Sequence, residues 1–566
     1  MLILASTYSE VLNAVLRWLA PAVVLILMLR CLLPLLTFPR EPEIWGWLCL
    51  NNGDKYPITH WETIIGSGKN CDIVINNPKV SKTHCVLTRY DDGSWSITDT
   101  DSSTGVKINQ KKREIWALQP EDVICLGGVE MVLQPITKKQ EKQLAQIRTK
   151  ASSFFSGFGN LLLLTVFQAL CALGYCLSDN GEHIQSVLLG FGGIMILQWF
   201  LMLFYISIHR TSFEVETVAF LLTTMGMCAI SAVVPEEAVK QAISVVLGMI
   251  TFLGVGLALR DLERAKKVRY FAAVAGVGLL LSTLLFGQNI NGAKAWLVIG
   301  PMSLQPSELS KVCFVLVGAS AMDRLVKKRN LILFIAYSVI VCGCLALMND
   351  FGTALIFFAA FLVIAYLRSG SLGTVALAVT ALVFAALFAL KFAPHAVQRF
   401  SNWRHIWEDP SDGGYQQTRA LMCMASGGFL GLGPGRGWMK IYPAADSDMV
   451  FATITEEWGL LVAILLILCI IALAAFVVRT ATMGRSSFYT IGACAAVSIM
   501  VVQVILNALG TVDVVPLTGV NFPFLSNGGS SMICSWGLLG FIKAADTRQN
   551  ASFAVRLPRR GGNADE

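Results

Sequence analysis

The sequence predicts a mostly α-helical membrane protein, a polytopic bundle of about thirteen helices with a small all-β sandwich domain inserted after the first helix. Apolar residues make up 55% of the 566-residue chain and charged residues 14%, whereas soluble domains carry about 25% charged residues. Long apolar runs recur along most of the chain, and each is compatible with a membrane helix. One segment near the amino terminus instead has short alternating runs separated by Gly, Asn and Asp, which is typical of a β-sandwich.

The apolar runs give the order of the helices. The first run, at about residues 11–36, is too long for a signal-peptide core and lacks a small-residue cleavage site, so we expect a retained helix. Twelve further runs follow the β segment, at about 155–178, 185–207, 214–234, 239–259, 270–286, 308–322, 331–347, 351–367, 372–391, 449–478, 487–509 and 529–545.

Basic clusters predict the orientation of the bundle, because Lys and Arg concentrate in cytoplasmic connections. Such clusters occur in "IHRTSFE", "RDLERAKKVRY", "DRLVKKRN", "YLRSG", "RTATMGR" and the tail "TRQNASFAVRLPRR". With an odd number of crossings, the amino terminus lies outside, and the β domain and the tail lie in the cytoplasm. The polar connections near 287–307, 392–448 and 510–528 then face outward, where long connections of this kind often carry function.

The same clusters account for the formal net charge of +7, so no nucleic-acid partner is expected. The fifteen cysteines are scattered through apolar runs without zinc-ligand spacing, and we interpret them as small core residues. The chain divides into an amino-terminal helix, a cytoplasmic β-sandwich, a basic linker, an extra membrane hairpin, a helical core and a cytoplasmic tail, at residues 1–40, 41–136, 137–154, 155–208, 209–547 and 548–566.

Four segments of the β domain resemble the motifs of the forkhead-associated (FHA) domain: "IIGSGKNCDIVI", "VSKTH", "TDSSTGVKIN" and "LQPEDVICLGG". The resemblance implies binding to a phosphothreonine-containing partner. Ser81 and His84 match the family's motif, whereas Ser67 and Thr104 replace its Arg and Asn. Loss of the guanidinium removes a major anion contact, and we expect Lys69 and Lys82 to compensate for it in part. A docking module that needs no phosphate is the alternative.

Five segments of the helical core resemble, in order and spacing, the motifs of the SEDS family (shape, elongation, division and sporulation proteins of the RodA, FtsW and SpoVE type). They are "NGAKAWLVIGPMSLQPSELSK", "MNDFGTALIFF", "GGYQQTRALMCMASGGFLGLGPG", "DSDMVFATITEEWGLL" and "GVNFPFLSNGGSSMI". Asn349 replaces the family's Pro, and Asp446 replaces its usual His. The resemblance implies a peptidoglycan glycosyltransferase that polymerises lipid II for elongation, division or sporulation, usually beside a class B penicillin-binding protein, a transpeptidase.

Asp448 is the predicted catalytic residue, because it matches the family's essential Asp at the outer start of a helix. The reaction joins a sugar hydroxyl to an anomeric carbon and expels a lipid-linked pyrophosphate. It needs a base and either positive charge or a divalent cation, Mg²⁺ or Mn²⁺. We expect Asp448 to stay ionised at little cost at the water boundary, as a base or as a metal ligand with Asp446. From the residues alone, helix capping is a simpler interpretation of Asp448 than catalysis. The resemblance to the family makes catalysis the preferred interpretation.

The predicted substrate-binding residues lie in the same outer connections. Basic side chains bind the pyrophosphate or else anchor the protein at lipid headgroups; they are Arg404 and Lys440, followed by Arg399, Arg436 and Lys294. The first and last motifs add Trp296, Gln305, Ser307, Glu308, Lys311 and Ser530. Glu308 and Lys311 share a helix face, so a structural ion pair is their alternative, and helix packing is the alternative for Ser530.

Further acids belong to the bundle: Asp350, Glu456 and Glu457. Glu456 lies about 12 Å deeper than Asp448 along an ideal helix. We therefore do not expect it to reach the same sugar atom, and with Glu457 we expect it to pair with Lys311 or another cation of the bundle.

Two rival functions use the same features. A lipid II flippase would also place acids inside the bundle, because intramembrane acids mark transport paths. A non-catalytic scaffold for a penicillin-binding protein would tolerate the departures at Asn349 and Asp446. The concentration of polar motifs on the outer face favours the enzyme.

Overall fold

The structure is a computed structural model. It describes residues 2–37, 43–137, 139–140 and 152–552, apart from gaps of one to five residues within these ranges. These residues form fifteen α-helices and fourteen β-strands. Most of the predicted basic linker (137–154) and of the predicted tail (548–566) lies outside the described residues.

Each of the thirteen predicted apolar runs corresponds to one helix of a bundle, and two further helices, α11 and α12, lie in a connection. In chain order the helices are α1 (Leu2–Thr37), α2 (Phe154–Ser178), α3 (Ile184–Ser207), α4 (Glu214–Val233), α5 (Ala238–Ala258), α6 (Leu262–Phe286), α7 (Pro306–Met322), α8 (Lys328–Leu347), α9 (Phe351–Ser369), α10 (Leu372–Leu390), α11 (Pro394–Asn402), α12 (Tyr415–Gly427), α13 (Val450–Ala481), α14 (Ser487–Thr511) and α15 (Gly529–Ala544). Within the described part of the chain, ten helices are long and apolar enough to cross a membrane. The polytopic bundle is therefore confirmed.

The β domain contains eleven strands in two sheets. They are β1 (Gly46–Leu50), β2 (Lys55–Ile58), β3 (Glu62–Gly66), β4 (Ile73–Val74), β5 (Cys85–Arg89), β6 (Trp95–Asp99), β7 (Val106–Ile108), β8 (Lys111–Lys112), β9 (Ile115–Leu118), β10 (Val123–Leu126) and β11 (Val129–Pro135). One sheet has the order β2-β1-β11-β10-β7-β8, and the other has the order β4-β3-β5-β6-β9. Alternate side chains of both sheets, such as Leu48 and Leu87, are buried in the hydrophobic core, as the alternating runs predict.

The β domain docks on the connection between α13 and α14. The carboxylate of Glu62, at the start of β3, accepts hydrogen bonds from Oγ of Ser486 (3.0 Å) and from N and Oγ of Ser487 (2.9 and 2.6 Å). His60 Nδ1 lies 2.7 Å from the carbonyl oxygen of Gly484. Because Ser487 begins α14, Glu62 satisfies a free amide at a helix N-terminus, where the helix dipole also favours negative charge.

The start of the tail is fixed at the same end of the bundle. Lys543, at the end of α15, lies 3.0 Å from Glu216 of α4, and Arg548 lies 3.3 Å from Glu214. Ser487 lies at the start of α14, and Lys543 lies in the last turn of α15. Between them the chain crosses the bundle twice, so both residues lie at the same end of the bundle. We call this the proximal end, and the opposite end the distal face.

The distal connections contain secondary structure of their own. Three antiparallel strands follow α6, namely β12 (Gln288–Ile290), β13 (Ala293–Ile299) and β14 (Met302–Leu304). The connection from α10 to α13 contains α11, α12 and a 3₁₀ turn at Met439–Ile441. The sequence indicates only polar connections in these segments, because their runs are too short to give a periodic signal.

Small residues let the core helices approach closely. A Cβ added to Gly248 of α5 would lie 2.8 Å from Cδ1 of Trp536 on α15, so only glycine fits there. The buried Trp536 ring packs against Phe220, Phe252 and Phe524 at centroid distances of 4.9 to 5.8 Å. Such close contacts drive helix association in lipid, where burial of apolar surface contributes little.

Candidate active site on the distal face

Asp448 is half-buried in the connection that leads into α13. The residue at the N-cap position of α13 is Met449, and no side-chain cap hydrogen bond is formed there, so the helix-capping interpretation of Asp448 is not supported. The carboxylate lies against Gly519, where an added Cβ would be 3.2 Å from Asp448 Oδ2. Gly519 also has a φ of +66°, which is costly for other residues. Glycine at this position therefore keeps the space beside the carboxylate open.

Burial raises the pKa of the Asp448 carboxyl to about 6. The Arg399 guanidinium lowers this pKa, whereas the charges of Asp446 and Asp350 raise it. The expectation that Asp448 ionises at little cost is therefore wrong, because the folded chain removes part of the water around the carboxylate. A carboxylate with a raised pKa is a stronger base than an ordinary aspartate, and it is still mostly ionised at neutral pH.

The Asp448 connection is held in place by α14 and by the connection before α15. The side-chain amide of Asn507 on α14 donates hydrogen bonds to the carbonyl oxygens of Asp448 (2.9 Å) and Val520 (2.8 Å). Ser526 Oγ donates to the carbonyl oxygen of Ser447 at 2.7 Å. Asn507 therefore acts as a clamp between two connections. The sequence motifs do not include it, although an amide in an apolar helix is the kind of signal that could have revealed it.

Asp446 lies in the same connection and is bound to Asn527. The Asn527 side-chain amide donates to Asp446 Oδ2 at 2.8 Å and to Glu237 Oε2 at 2.7 Å, and its backbone amide donates to the Asp446 carbonyl oxygen. Asn527 thus keeps two acids together, and one Asp446 oxygen is committed to that contact. Among the described residues, no group of three or more His, Cys, Asp or Glu side chains could hold a metal ion.

A buried ionisable cluster is linked to Asp448 through the charge of Asp350. Lys311 Nζ is 2.6 Å from Glu308 Oε1, and both side chains are buried on α7 together with Ser307. Asp350 accepts a hydrogen bond from the Thr353 amide at the start of α9. Burial raises the pKa of Asp350, and the nearby Lys311 charge lowers it. Glu308 Oε2 and Asp350 Oδ2 accept no hydrogen bond from any residue that the structure describes, so this cluster retains unused acceptors.

Glu456 and Glu457 hold the glycine-rich connection before Asp448 rather than pairing with Lys311. Glu456 accepts hydrogen bonds from the backbone amides of residues 438–439, at 2.9 and 2.8 Å. Glu457 accepts one from the Tyr175 hydroxyl at 2.6 Å. The predicted pairing with Lys311 is wrong because that lysine already has its partner on α7, and hydrogen bonds from backbone amides stabilise the Glu456 carboxylate instead.

Several predicted substrate-binding residues fix the first distal connection. Lys294 Nζ donates to the carbonyl oxygen of Leu284 at 2.7 Å. The backbone amide of Gln305 donates to Ser530 Oγ at 2.9 Å, which joins the end of β14 to the start of α15. Trp296 is half-buried on β13. These contacts favour a structural role for Lys294 and Ser530.

Four basic side chains of the connection between α10 and α13 are exposed, namely Arg399, Arg404, Arg436 and Lys440. The Arg404 guanidinium lies over the Trp403 ring at 5.2 Å, and Lys440 Nζ donates to a backbone carbonyl at 3.2 Å. Arg399 Nη1 donates to the Thr518 carbonyl oxygen at 3.4 Å, one residue before the glycine that faces Asp448. Arg399 therefore lies beside the segment that faces Asp448, and its charge acts on the Asp448 carboxylate.

A family model described as a cell cycle protein, of the FtsW, RodA and SpoVE type, matches residues 218–551. The chain belongs to this family. Peptidoglycan glycosyltransferase RodA of Mycobacterium tuberculosis is 29% identical over 54% of this chain and 69% of its own length. Probable peptidoglycan glycosyltransferase FtsW of Nitrosococcus halophilus is 33% identical over 54% of this chain and 82% of its own length. The predicted family and enzyme class, peptidoglycan glycosyltransferase, are confirmed by these matches.

The solved structures include a similar fold. A chain from the structure named "Structural coordination of polymerization and crosslinking by a peptidoglycan synthase complex" is 25% identical and aligns with a TM-score of 0.50 over 58% of this chain and 96% of that chain. The family match begins at residue 218, so α1, the β domain, α2 and α3 all precede it.

An FHA domain model matches residues 63–127 and confirms the predicted β domain. Ser81 Oγ lies 3.0 Å from Ser103 Oγ at the surface, and Lys82 and Thr104 are exposed in the same loops. His84 is buried, and its Nδ1 accepts a hydrogen bond from the Ser81 amide at 3.0 Å. His84 therefore shapes the loop that presents Ser81, and of the four predicted phosphopeptide residues only Ser81, Lys82 and Thr104 face a possible ligand.

Proposed function

We propose that this FtsW/RodA family protein polymerises lipid II into glycan strands on the distal face, with the Asp448 carboxylate as the general base. The observation that carries the proposal is the half-buried Asp448 carboxylate beside Gly519, with its pKa raised to about 6. The Asn507 clamp fixes the connection that presents it. Preorganised groups of this kind raise rates because they need no rearrangement during the reaction.

In the proposed reaction Asp448 accepts the proton of the acceptor sugar hydroxyl. The hydroxyl oxygen forms a bond to the anomeric carbon of the donor, and the bond between that carbon and the pyrophosphate oxygen breaks. The leaving group departs as a lipid-linked pyrophosphate with its negative charge. Arg399, Arg404, Arg436 and Lys440 supply exposed positive charge for that leaving group.

The residues also fit a divalent cation, Mg²⁺ or Mn²⁺, as part of the proposal. The Asp448 carboxylate accepts no hydrogen bond from the residues that the structure describes, and the Asp446 carboxylate keeps one oxygen that is not bound to Asn527. Two carboxylates together with substrate phosphate oxygens are a set that Mg²⁺ prefers. Asp446 and Asp448 would hold the ion, which would supply positive charge at the pyrophosphate.

The proposed orientation places the distal face outside the cytoplasmic membrane and the proximal end in the cytoplasm. Several basic segments fall at the proximal end, including those around Arg210 and Arg548, which agrees with the positive-inside rule. The substrate would then be lipid II at the outer leaflet. A class B penicillin-binding protein is the proposed partner, since the similar solved chain belongs to a peptidoglycan synthase complex that couples polymerisation to crosslinking.

The FHA-like domain is proposed to bind a phosphothreonine-containing partner. Ser81 and Lys82 lie in loops beyond the end of β3, whereas Glu62 docks at its start, so docking leaves these loops accessible. Ser67 stands where the FHA family has an arginine. We therefore expect the phosphothreonine to bind weakly, because a guanidinium fork is the strongest phosphate contact. Calorimetry with a phosphothreonine peptide and its unphosphorylated form tests this, and equal affinities would contradict it.

The central test uses purified protein with labelled lipid II and Mg²⁺, comparing wild type with Asp448→Ala. Glycan strands from wild type alone support the polymerase. Translocation of lipid II without polymer would instead identify a flippase, for which the buried Glu308, Lys311 and Asp350 cluster is the relevant feature. Neither activity, under conditions in which a control polymerase works, would identify a scaffold.

A further inference from the structure

The first helices of the chain lie outside the region that matches the family, yet they contact its distal connections. Tyr175 of α2 is fully buried, and its hydroxyl donates a 2.6 Å hydrogen bond to Glu457 Oε2. The same hydroxyl accepts a hydrogen bond from Nε1 of Trp458 at 3.2 Å. Both of its partners belong to α13, which begins two residues after Asp448. A residue of the added helices is therefore joined to the helix that follows the reacting acid.

The partner of Tyr175 supports a segment that we call the glycine loop, residues 428–441. Glu457 Oε1 accepts a hydrogen bond from the Gly437 amide (3.3 Å), and the Glu457 carbonyl oxygen accepts one from the Gly433 amide (2.9 Å). Glu456 accepts the next two amides of the loop, at residues 438–439. Tyr175 thus completes the hydrogen bonds of a carboxylate whose other oxygen holds the loop backbone.

Helix α2 also packs directly on the glycine loop. A Cβ added to Gly174 would lie 3.2 Å from Cγ of Pro434. Gly435 has a φ of +72°, and an added Cβ there would collide with the Ser178 side chain. Gly174 on the helix and Gly435 on the loop therefore allow the two segments to approach closely.

The glycine loop continues to the reacting acid through apolar packing. Met439 belongs to a small buried cluster with Ala445 and Met449, on either side of Asp448. The loop also presents two exposed cations, Arg436 and Lys440. A displacement of the loop therefore moves both its charges and the surface on which the Asp448 connection rests.

We propose that Tyr175 is a positioning residue for lipid II: its hydroxyl orients Glu457 and thereby holds the glycine loop with Arg436 and Lys440 in place for the pyrophosphate. This inference rests on the proposed function. Helix α2 then completes the substrate site, and it also follows the FHA-like domain along the chain. Because Arg436 and Lys440 contact charge that is present before and during the reaction, their displacement weakens binding of substrate and transition state alike.

The test compares Tyr175→Phe with Tyr205→Phe in the full-length purified protein. Tyr205, on α3, is a matched control because it is also fully buried and also donates a 2.6 Å hydrogen bond to a glutamate, Glu216, but at the proximal end. We expect Tyr175→Phe to raise KM for lipid II about tenfold, the size of effect if the free energy of one hydrogen bond to a charged group is lost from substrate binding, with kcat within about twofold. Tyr205→Phe leaves both constants unchanged. A wild-type KM for Tyr175→Phe, or equal changes in the two variants, would overturn the proposal.

Hydrogen–deuterium exchange gives a second readout that does not need catalysis. The loop amides bound by Glu456 and Glu457 should exchange faster in Tyr175→Phe than in wild type or Tyr205→Phe. If wild type forms no polymer, the proposed function fails. The exchange measurement is independent of that result: loop amides that exchange in Tyr175→Phe as slowly as in wild type would show that Tyr175 does not hold the loop. Faster exchange with an unchanged KM would overturn the link to lipid II. Should Tyr175→Phe fail to fold, Gly174→Ala perturbs the same contact through Pro434, with the same expected rise in KM.

Discussion

Replacement of Asn507 by Leu tests whether the clamp positions Asp448. The change keeps the approximate size of the side chain but removes two hydrogen bonds of 2.9 and 2.8 Å. An unsatisfied buried carbonyl costs about 1–3 kcal/mol. One of the two carbonyls is partly exposed, so we expect a total near the lower half of the combined range, about 2–4 kcal/mol. Relaxation of the connection can offset this cost, and the relaxation would misplace Asp448.

The expected consequence is a loss of kcat of about 100-fold, because a displacement near 1 Å of a reacting group has an effect of that order. The assay is lipid II polymerisation by the purified variant, together with its thermal unfolding midpoint in detergent. Gln503→Leu is the matched control, since Gln503 is a buried amide on the same helix with one longer hydrogen bond of 3.5 Å, to the Asn521 carbonyl. Wild-type kcat in Asn507→Leu, or an equal loss in Gln503→Leu, would refute the clamp.

Four other predictions concern charge and space. Activity should rise with pH through about 6, because Asp448 acts as the deprotonated base and burial raises its pKa to that value; a rate independent of pH between 5 and 7 would contradict this. Arg399→Gln should shift that pH profile to higher pH, since the arginine lowers the Asp448 pKa. An unshifted profile would show that the Arg399 charge does not act on Asp448. Gly519→Ala should lower kcat at least tenfold, because its Cβ would lie 3.2 Å from Asp448 Oδ2, and an active variant would show that this space is not needed. Glu62→Ala should lower the free energy of unfolding by the cost of a lost helix cap, about 1 kcal/mol, whereas the exposed Glu121→Ala should leave it unchanged.

Most of the fold could be predicted from apolar run length. Membrane helices need about 20 apolar residues, and the thirteen runs correspond closely to helices, even where α7 and α15 have only 17 and 16 residues. The β domain was predictable for a different reason, because period-two alternation and glycine turns mark a sandwich. The short strands β12–β14 and the helices α11 and α12 lie below the length at which such patterns are informative.

The candidate site was predictable only in part. Motif order identified Asp448, but Arg399 and Asp350, which act on its pKa, come from distant parts of the chain, and spacing along the chain does not show that they meet Asp448. Glu456 illustrates the limit: its depth along the helix suggested a cationic partner, whereas its charge is met by two backbone amides of a folded connection. Asn507 and Tyr175 belong to no motif, and their roles depend on contacts across 59 and 282 residues of sequence.

The role of Asp448 in polymerisation is decided by the yield of glycan strands from labelled lipid II with wild type and Asp448→Asn, measured at pH 7.5 with Mg²⁺. The substitution keeps the shape of the side chain but removes its negative charge, and with it the ability to accept a proton or to bind a cation as a carboxylate. We expect polymer from wild type and at least a 1000-fold lower rate from Asp448→Asn, an effect within the span of general-base catalysis, about 10²–10⁴. Polymer formed by Asp448→Asn at the wild-type rate would show that Asp448 is not the general base.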